Sequence, residues 1–217
     1  MSSDGPREFS FDAMYAGTPP WDIGRPQGAF VRLSDAGAIR GAVLDVGCGT
    51  GEQALLAAGL GLDATGIDLS PTAIELARRK AAERTLTVDF RVWDALDLDG
   101  LGTSFDTVLD SGVFHVFDDE DRARFVESLR GALNPGGRYF MLCFSELVPG
   151  DMGPRRICEA EIRSSFQDGW RIVSLERDTM EVNFVPDGIP GWLATIERVN
   201  SGGDSPLDTT GNPTEYP

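Results

Sequence analysis

The residues best suited to hold and act on a ligand stand at the ends of apolar runs. Residues 43–51 read VLDVGCGTG, an apolar stretch that breaks into glycines at 47, 49 and 51 and resumes as a helical pattern over 52–60. By periodicity this is a buried strand, a glycine turn and a helix. Gly47, Gly49 and Gly51 lack Cβ atoms where a ligand must approach the backbone, and a helix start offers free N–H groups. Asp45 lies two residues ahead of the first glycine, and Asp68 ends a second apolar run, seventeen residues past the last glycine. An acid at about that distance accepts ribose hydroxyls in nucleotide-binding units. The spacing G-x-G-x-G departs from the dinucleotide fingerprint G-x-G-x-x-G, which favours a nucleotide-like ligand with no pyrophosphate to seat. His115 is the only histidine, and it has the one side chain whose unperturbed pKa suits proton transfer near neutrality.

The elements that must position these groups alternate along the chain. Strand patterns fall near 43–46, 63–67, 86–92, 105–109, 138–144, 170–177 and 191–199, and helical ones at 29–39, 52–60, 73–82, 122–133 and 158–166. Ser70-Pro71 is a helix start with Ser as N-cap and Pro at the first position. The acids at 118–121 suit the N-terminal end of the following helix and are read as capping, not as a metal site. The last two strands have no helix between them and predict an antiparallel hairpin at one edge. The order is that of an α/β fold: a doubly wound sheet of about seven strands, its last strand antiparallel, with helices on both faces. Asp110-Ser111-Gly112-Val113-Phe114-His115 then follows the fourth strand at the carboxyl edge, where open α/β sheets bind ligands.

DVGCGTG at 45–51 and GIDLS at 66–70 together resemble the first and second motifs of the class I S-adenosylmethionine-dependent methyltransferases. LNPGG at 133–137 is similar to the break before their fifth strand. The resemblance spans roughly residues 11–199. It implies S-adenosyl-L-methionine as cofactor, bound by Asp45, Gly47, Gly49, Leu69 and Ser111, with Asp68 accepting from the ribose hydroxyls. It also implies that Asp94 accepts from the adenine amino group while the Ala95 N–H donates to the ring. The Pro- and Gly-rich stretch 11–28 carries Tyr15 and Trp21, which either pin an N-terminal arm to the core or form a lid. Methyltransferases of the thiopurine and tellurite type are similar in having a Trp-bearing N-terminal segment. In that likeness Trp21 covers the methionine end, Tyr15 also binds the cofactor, and Arg25 reaches its carboxylate, a pairing suited to guanidinium geometry; the other reading of Arg25 is a surface residue. TPPWDIGRPQ, DSGVFH and GWLATIERV look like a small actinobacterial group that methylates heterocyclic toxins such as hydroxyquinolones, or quinone-like compounds. That likeness implies a hydroxyl or ring nitrogen of a small aromatic or heterocyclic acceptor, with detoxification as the outcome. TPPW also invites comparison with the D/N/S-P-P-Y/F/W signature of nucleic-acid amino-methyltransferases, but its first residue is Thr18, it precedes the cofactor strand, and no target-recognition segment fits.

A sulfonium methyl is already activated, so aligning donor and acceptor in a dry pocket is the protein's main task, and proximity supplies roughly 7–11 kcal/mol. A base is needed only if the acceptor must lose a proton. His115 is the catalytic candidate, with pocket lining and simple packing as the other readings. Tyr15 is a second candidate for orienting the acceptor. Phe11, Phe114, Phe117 and Phe144 are apolar candidates for the pocket, each equally placed to be core, together with the segment 145–156. A cofactor-binding protein without catalysis, or a protein acceptor, are the alternative functions; the glycine spacing disfavours a nicotinamide oxidoreductase.

At 217 residues the chain is most simply one domain able to bury roughly 70% of its unfolded surface. The reading divides it into an N-terminal arm, lid and helix over 1–40, a methyltransferase domain over 41–200 and an acidic tail over 201–217. Its formal net charge of −16 repels phosphate backbones and argues against nucleic acid partners, though most of it serves solubility. Cys48, Cys143 and Cys158 fit neither a disulfide framework nor a C-x-x-C metal site. The polar N-terminus lacks a signal-peptide core and no run is long enough to span a bilayer, so a cytoplasmic, membrane-free protein is expected; the sequence does not reveal its oligomeric state, with a monomer favoured.

Overall fold

The computed structural model describes residues 11–150 and 153–199. Its strands are β1 (Ala42–Val46), β2 (Asp63–Asp68), β3 (Asp89–Val92), β4 (Phe105–Ser111), β5 (Leu133–Phe144), β6 (Trp170–Val182) and β7 (Val185–Arg198). They form one sheet in the order β3-β2-β1-β4-β5-β7-β6. β1 to β5 pair in parallel, and β7 is antiparallel to both of its neighbours. The doubly wound sheet and its antiparallel hairpin therefore agree with the sequence reading. The helices are α1 (Phe11–Met14), α2 (Gly28–Asp35), α3 (Glu52–Gly59), α4 (Pro71–Glu83), α5 (Asp119–Ala132) and α6 (Glu159–Ser165). Among the described residues no helix is long and apolar enough to cross a membrane.

The central strands are buried on both faces, which is why they read as continuous apolar runs. Along β5, Tyr139, Met141 and Cys143 join one core with Phe125 and Leu129 of α5 and Ile162 of α6. Their neighbours Phe140, Leu142 and Phe144 face the opposite layer, packed with Phe30 of α2 and Ala57 of α3. Full burial of each large apolar side chain contributes about 1.5–3 kcal/mol. Caps fall where the sequence places them: the Ser70 hydroxyl accepts from Ala73 N–H at 3.0 Å, and Asp118 accepts from Asp121 N–H at 2.9 Å.

Several boundaries differ from the sequence reading. The helix expected over 29–39 stops at Asp35, because Gly37 takes a left-handed φ of +65°. The third strand is shortened to Asp89–Val92, since Thr85 already turns the chain with φ +56°. The largest difference is the hairpin, where β6 runs five residues beyond Arg177 and β7 begins at Val185 and not Gly191. Pro186, Gly188 and Pro190 look like strand breakers in sequence. They are tolerated because this part of β7 pairs with β6 alone, from Thr179↔Pro190 to Val182↔Val185, and on its other side Ser145 N–H bonds the Pro190 carbonyl at 3.0 Å, a bond that needs no proline N–H. The expected tail over 201–217 and the first ten residues lie outside the described residues.

Candidate active site

After β1 the chain passes through three left-handed glycines, with φ +60° at Gly47, +53° at Gly49 and +86° at Gly51. A side chain in such a conformation costs roughly 1–2 kcal/mol. The space beside each glycine is filled by protein. A Cβ on Gly47 would lie 2.2 Å from Val113 Cγ2, one on Gly49 2.9 Å from the Tyr15 hydroxyl, and one on Gly51 2.6 Å from Phe90 Cζ. The missing Cβ atoms let the loop after β4, the N-terminal arm and β3 close onto the turn.

The acids gather at one edge. Asp45 is 1% exposed, and its Oδ2 accepts from Ala54 N–H at 3.0 Å while Oδ1 has no partner. Burial pushes its pKa well above the carboxylate range, against the one amide bond, with Asp68 and Asp110 adding to the rise. Asp68 accepts from Gly49 N–H at 2.9 Å and from Ser70 N–H at 2.8 Å, so it ties the glycine turn to the start of α4. Burial raises its pKa against those two bonds. Leu69 beside it is 62% exposed. Asp94 accepts from Leu96 N–H at 2.9 Å and caps the 3₁₀ turn Ala95–Leu101, and Ser111 closes β4 opposite Leu142. These groups lie at the carboxyl ends of four adjacent parallel strands, the ligand-binding edge of an open α/β sheet.

The N-terminal arm spans that edge. Asp12 accepts from Ser70 Oγ at 2.5 Å and Thr72 N–H at 3.1 Å. Trp21 Nε1 donates to the Tyr15 hydroxyl at 3.1 Å, which places that oxygen over Gly49. Lys80 of α4 donates to Thr50 at 2.6 Å and Glu52 at 2.8 Å, and stands 3.8 Å from Asp22. At its far end the arm is clasped by the hairpin. Asn183 donates from its backbone to Pro20 O at 2.9 Å and from its side chain to Pro19 O at 2.8 Å. Gln27 and the Glu181 backbone exchange two bonds of 2.9 Å. Arg25, expected to reach a cofactor carboxylate, instead makes a bidentate pair with Glu181 at 2.8 and 2.9 Å. The reason is the extended β6, invisible in the sequence, which carries Glu181 to the arm.

The loop after β4 is organised by Asp110, a residue whose role the sequence did not reveal. It is fully buried and accepts from Val113 N–H at 2.6 Å, Phe114 N–H at 3.0 Å and the Tyr139 hydroxyl at 2.5 Å. The loop delivers His115 to a site where it is 4% exposed and packs on Phe144 with ring centroids 4.5 Å apart. His115 Nδ1 accepts from Phe144 N–H at 2.9 Å. A ring that accepts at Nδ1 and stays neutral carries its proton on Nε2. Burial, helped by Arg156, lowers its pKa to about 3. Nε2 lies beside Gly112, where an added Cβ would meet it at 3.2 Å and Met180 Cε at 3.5 Å. His115 is therefore a buried N–H donor, which corrects the expectation of a general base. Burial and then Asp68 raise the Tyr15 hydroxyl pKa, so that group stays a protonated hydroxyl over the turn. Of the four aromatic candidates, Phe114 and Phe117 belong to the core under α5, Phe144 lines His115, and Phe11 packs edge-on to Trp21 at 5.9 Å.

A methyltransferase domain model matches residues 43–137, which covers the glycine turn, the three acids and the β4 loop. The chain is 40% identical over 160 residues, 72% of its length and 70% of the relative's, to 2-heptyl-1-hydroxyquinolin-4(1H)-one methyltransferase of Mycobacteroides abscessus. The chain belongs to the S-adenosylmethionine-dependent methyltransferases. A solved structure concerned with conversion of a disulfide bond into a thioacetal group during echinomycin biosynthesis matches with a TM-score of 0.79 and 40% identity, over 87% of this chain and 91% of that one. TehB from Haemophilus influenzae, at 20% identity, TM-score 0.65 and coverage of 80% and 62%, shares the fold.

The edge of this methyltransferase fits its cofactor. Each Asp68 oxygen has one lone pair engaged by an amide and a second available to ribose hydroxyls. The partnerless Asp45 Oδ1 is a buried polar atom beside the glycine turn, open to a hydrogen bond from or to a ligand. Leu69 offers an apolar face next to Asp68, and Asp94 an exposed carboxylate beyond it. A carboxylate-rich edge also suits a sulfonium cation.

Proposed function

We propose that the enzyme methylates an oxygen or nitrogen of a small aromatic or heterocyclic acceptor of quinolone or quinone type. The 40% identity to a methyltransferase named for a hydroxyquinolinone carries the acceptor class. S-adenosylmethionine supplies an activated methyl group when bound. In this reading Asp68 and Leu69 hold the ribose and adenine side, Asp94 and Ala95 the adenine edge, and Asp45, Gly47, Gly49 and Ser111 the methionine side. Tyr15 and Trp21 close over them, and Arg25 acts through Glu181 to keep the arm in place. His115 presents Nε2–H as a hydrogen-bond donor to an acceptor oxygen. Because that ring brings no free lone pair, an acceptor that is already an anion, such as an acidic hydroxyl on a heteroaromatic ring, suits the site best. Capping such a hydroxyl is chemistry fit for detoxification. The arm and the methyltransferase domain act as one unit, and the charge of −16 supports a small-molecule acceptor over nucleic acid; we assign a cytoplasmic monomer.

A sulfur acceptor is the second reading, favoured by the 40% identity to the structure concerned with disulfide conversion. The deciding experiment incubates the enzyme with S-adenosylmethionine and a panel of 2-alkyl-1-hydroxyquinolin-4-ones, hydroquinones, cyclic disulfides and a basic peptide, read by mass spectrometry. Methylated hydroxyquinolone supports the assignment; methylation of the disulfide or the peptide alone replaces it. Cofactor uptake with no methylated product from any of them favours a non-catalytic binder.

A further inference from the structure

Asp110 has no role in the chemistry above, yet it is the best-bonded buried carboxylate at the ligand edge. It is the penultimate residue of β4, and its Oδ1 receives Val113 N–H while Oδ2 receives both Phe114 N–H and the Tyr139 hydroxyl. Those two amides open the turn that carries His115. The same turn drives Val113 onto the cofactor side, where its Cγ2 occupies the space a Cβ on Gly47 would need. Gly112 starts the turn at φ +94° and lies under His115 Nε2 and Met180. One carboxylate thus sets two features: the contact of Val113 on the glycine turn and the place of the buried His115 ring.

We propose that Asp110 and Tyr139 are a positioning pair for methyl transfer, clamping the Val113–His115 turn onto the glycine turn only while the Asp110 carboxylate is ionised. The proposal rests on reading that glycine turn as the cofactor seat. An ionised carboxylate can accept from all three donors. A protonated one has an O–H of its own to place, and among its three partners only the Tyr139 oxygen can accept it, because the other two are amides. Protonation on Oδ2 toward Tyr139 reverses that bond and weakens the hold on Phe114 N–H, and protonation on Oδ1 displaces Val113 N–H. Burial raises the Asp110 pKa to about 6, while Tyr139 and the turn amides pull it down. The other titratable groups coupled to it are Asp45 of β1 and Cys143 of β5. The clamp is closed at neutral pH and opens as pH falls through about 6.

Tyr139→Phe tests this in the full-length protein. It removes one donor to the carboxylate, so the Asp110 titration moves to higher pH by about one unit, as expected for a hydrogen bond to a charged group. The amide chemical shifts of Val113 and Phe114 report the titration, and calorimetric binding of S-adenosylhomocysteine over the same pH series reports the seat. Affinity that weakens below the amide midpoint in wild type, with both shifting upward together in Tyr139→Phe, supports the pair. An unmoved amide midpoint in the variant overturns it, as does affinity that ignores the titration. Val113→Ala leaves the carboxylate and its partners intact; its amides still titrate near the wild-type midpoint while affinity no longer changes at that midpoint, and affinity that keeps tracking the titration overturns the proposed contact. Wild type that takes up no S-adenosylhomocysteine at any pH defeats the reading of the cofactor seat, and the proposal with it.

Discussion

His115 makes a quantitative prediction about acid stability. Its ring is buried and neutral, with an ordinary value of 6.5 in the unfolded chain and about 3 in the fold. The folded-state value is depressed, so the neutral ring contributes stability that is fully present above pH 6.5 and is lost as pH falls toward about 3. Between about pH 7.5 and pH 5 the unfolded ring gains most of a proton and the folded ring almost none, a loss of about 2 kcal/mol. Asp110 acts in the opposite sense: its value is raised to about 6, so the native state takes up protons first and gains about 1.4 kcal/mol over the same interval. Wild type alone therefore shows a muted response. His115→Gln isolates the histidine, because the Gln carbonyl can still accept Phe144 N–H while nothing at that position titrates. Denaturant unfolding of both proteins at the two pH values should show wild type losing about 2 kcal/mol more than the variant, or about 4–8 °C more in Tm for a chain of this size. Parallel stability curves would refute the depressed pKa and with it the buried neutral ring. A wild type that gains on the variant as pH falls would mean that the ring is charged and paired in the fold.

Other substitutions test the edge and the arm. Asp68→Ala leaves Gly49 and Ser70 amides without their acceptor and should weaken S-adenosylhomocysteine binding by at least about tenfold, roughly 1.4 kcal/mol, by calorimetry; unchanged affinity would remove Asp68 from the seat. Gly49→Ala places a Cβ 2.9 Å from the Tyr15 hydroxyl at φ +53°, so the arm should lift, with increased Trp21 quenching by acrylamide and a stability loss of about 1–2 kcal/mol. Quenching equal to wild type would show that the arm does not rest on the turn. Glu181→Ala breaks the Arg25 pair and the Gly28 N–H bond at the surface, and about 1 kcal/mol or less of global stability should be lost. Limited proteolysis should nevertheless cut the arm faster than in wild type; an equal cleavage rate would separate the hairpin from arm closure.

The amino-acid sequence by itself determined the central sheet and the cofactor class. Buried parallel strands and their glycine turn are local patterns: continuous apolar runs, left-handed positions that only glycine fills well, and Asp45, Asp68 and Asp94 at strand ends. Caps such as Ser70 and Asp118 were legible for the same reason, since each bonds an amide three residues away. Tertiary structure alone decided the rest. The pairing of Glu181 with Arg25 and Gln27 spans more than 150 residues, and it depends on a hairpin whose prolines look like breakers until the missing neighbour strand is seen. The tautomer of His115 follows from an amide on β5, and the role of Asp110 from a hydroxyl on the same strand. Burial sets the charge of both, and burial is a property of everything packed around a side chain. A residue's type and its place along the chain announce which chemistry is available; whether it serves as acid, base, donor or clamp is settled by partners that the fold brings from far away in sequence.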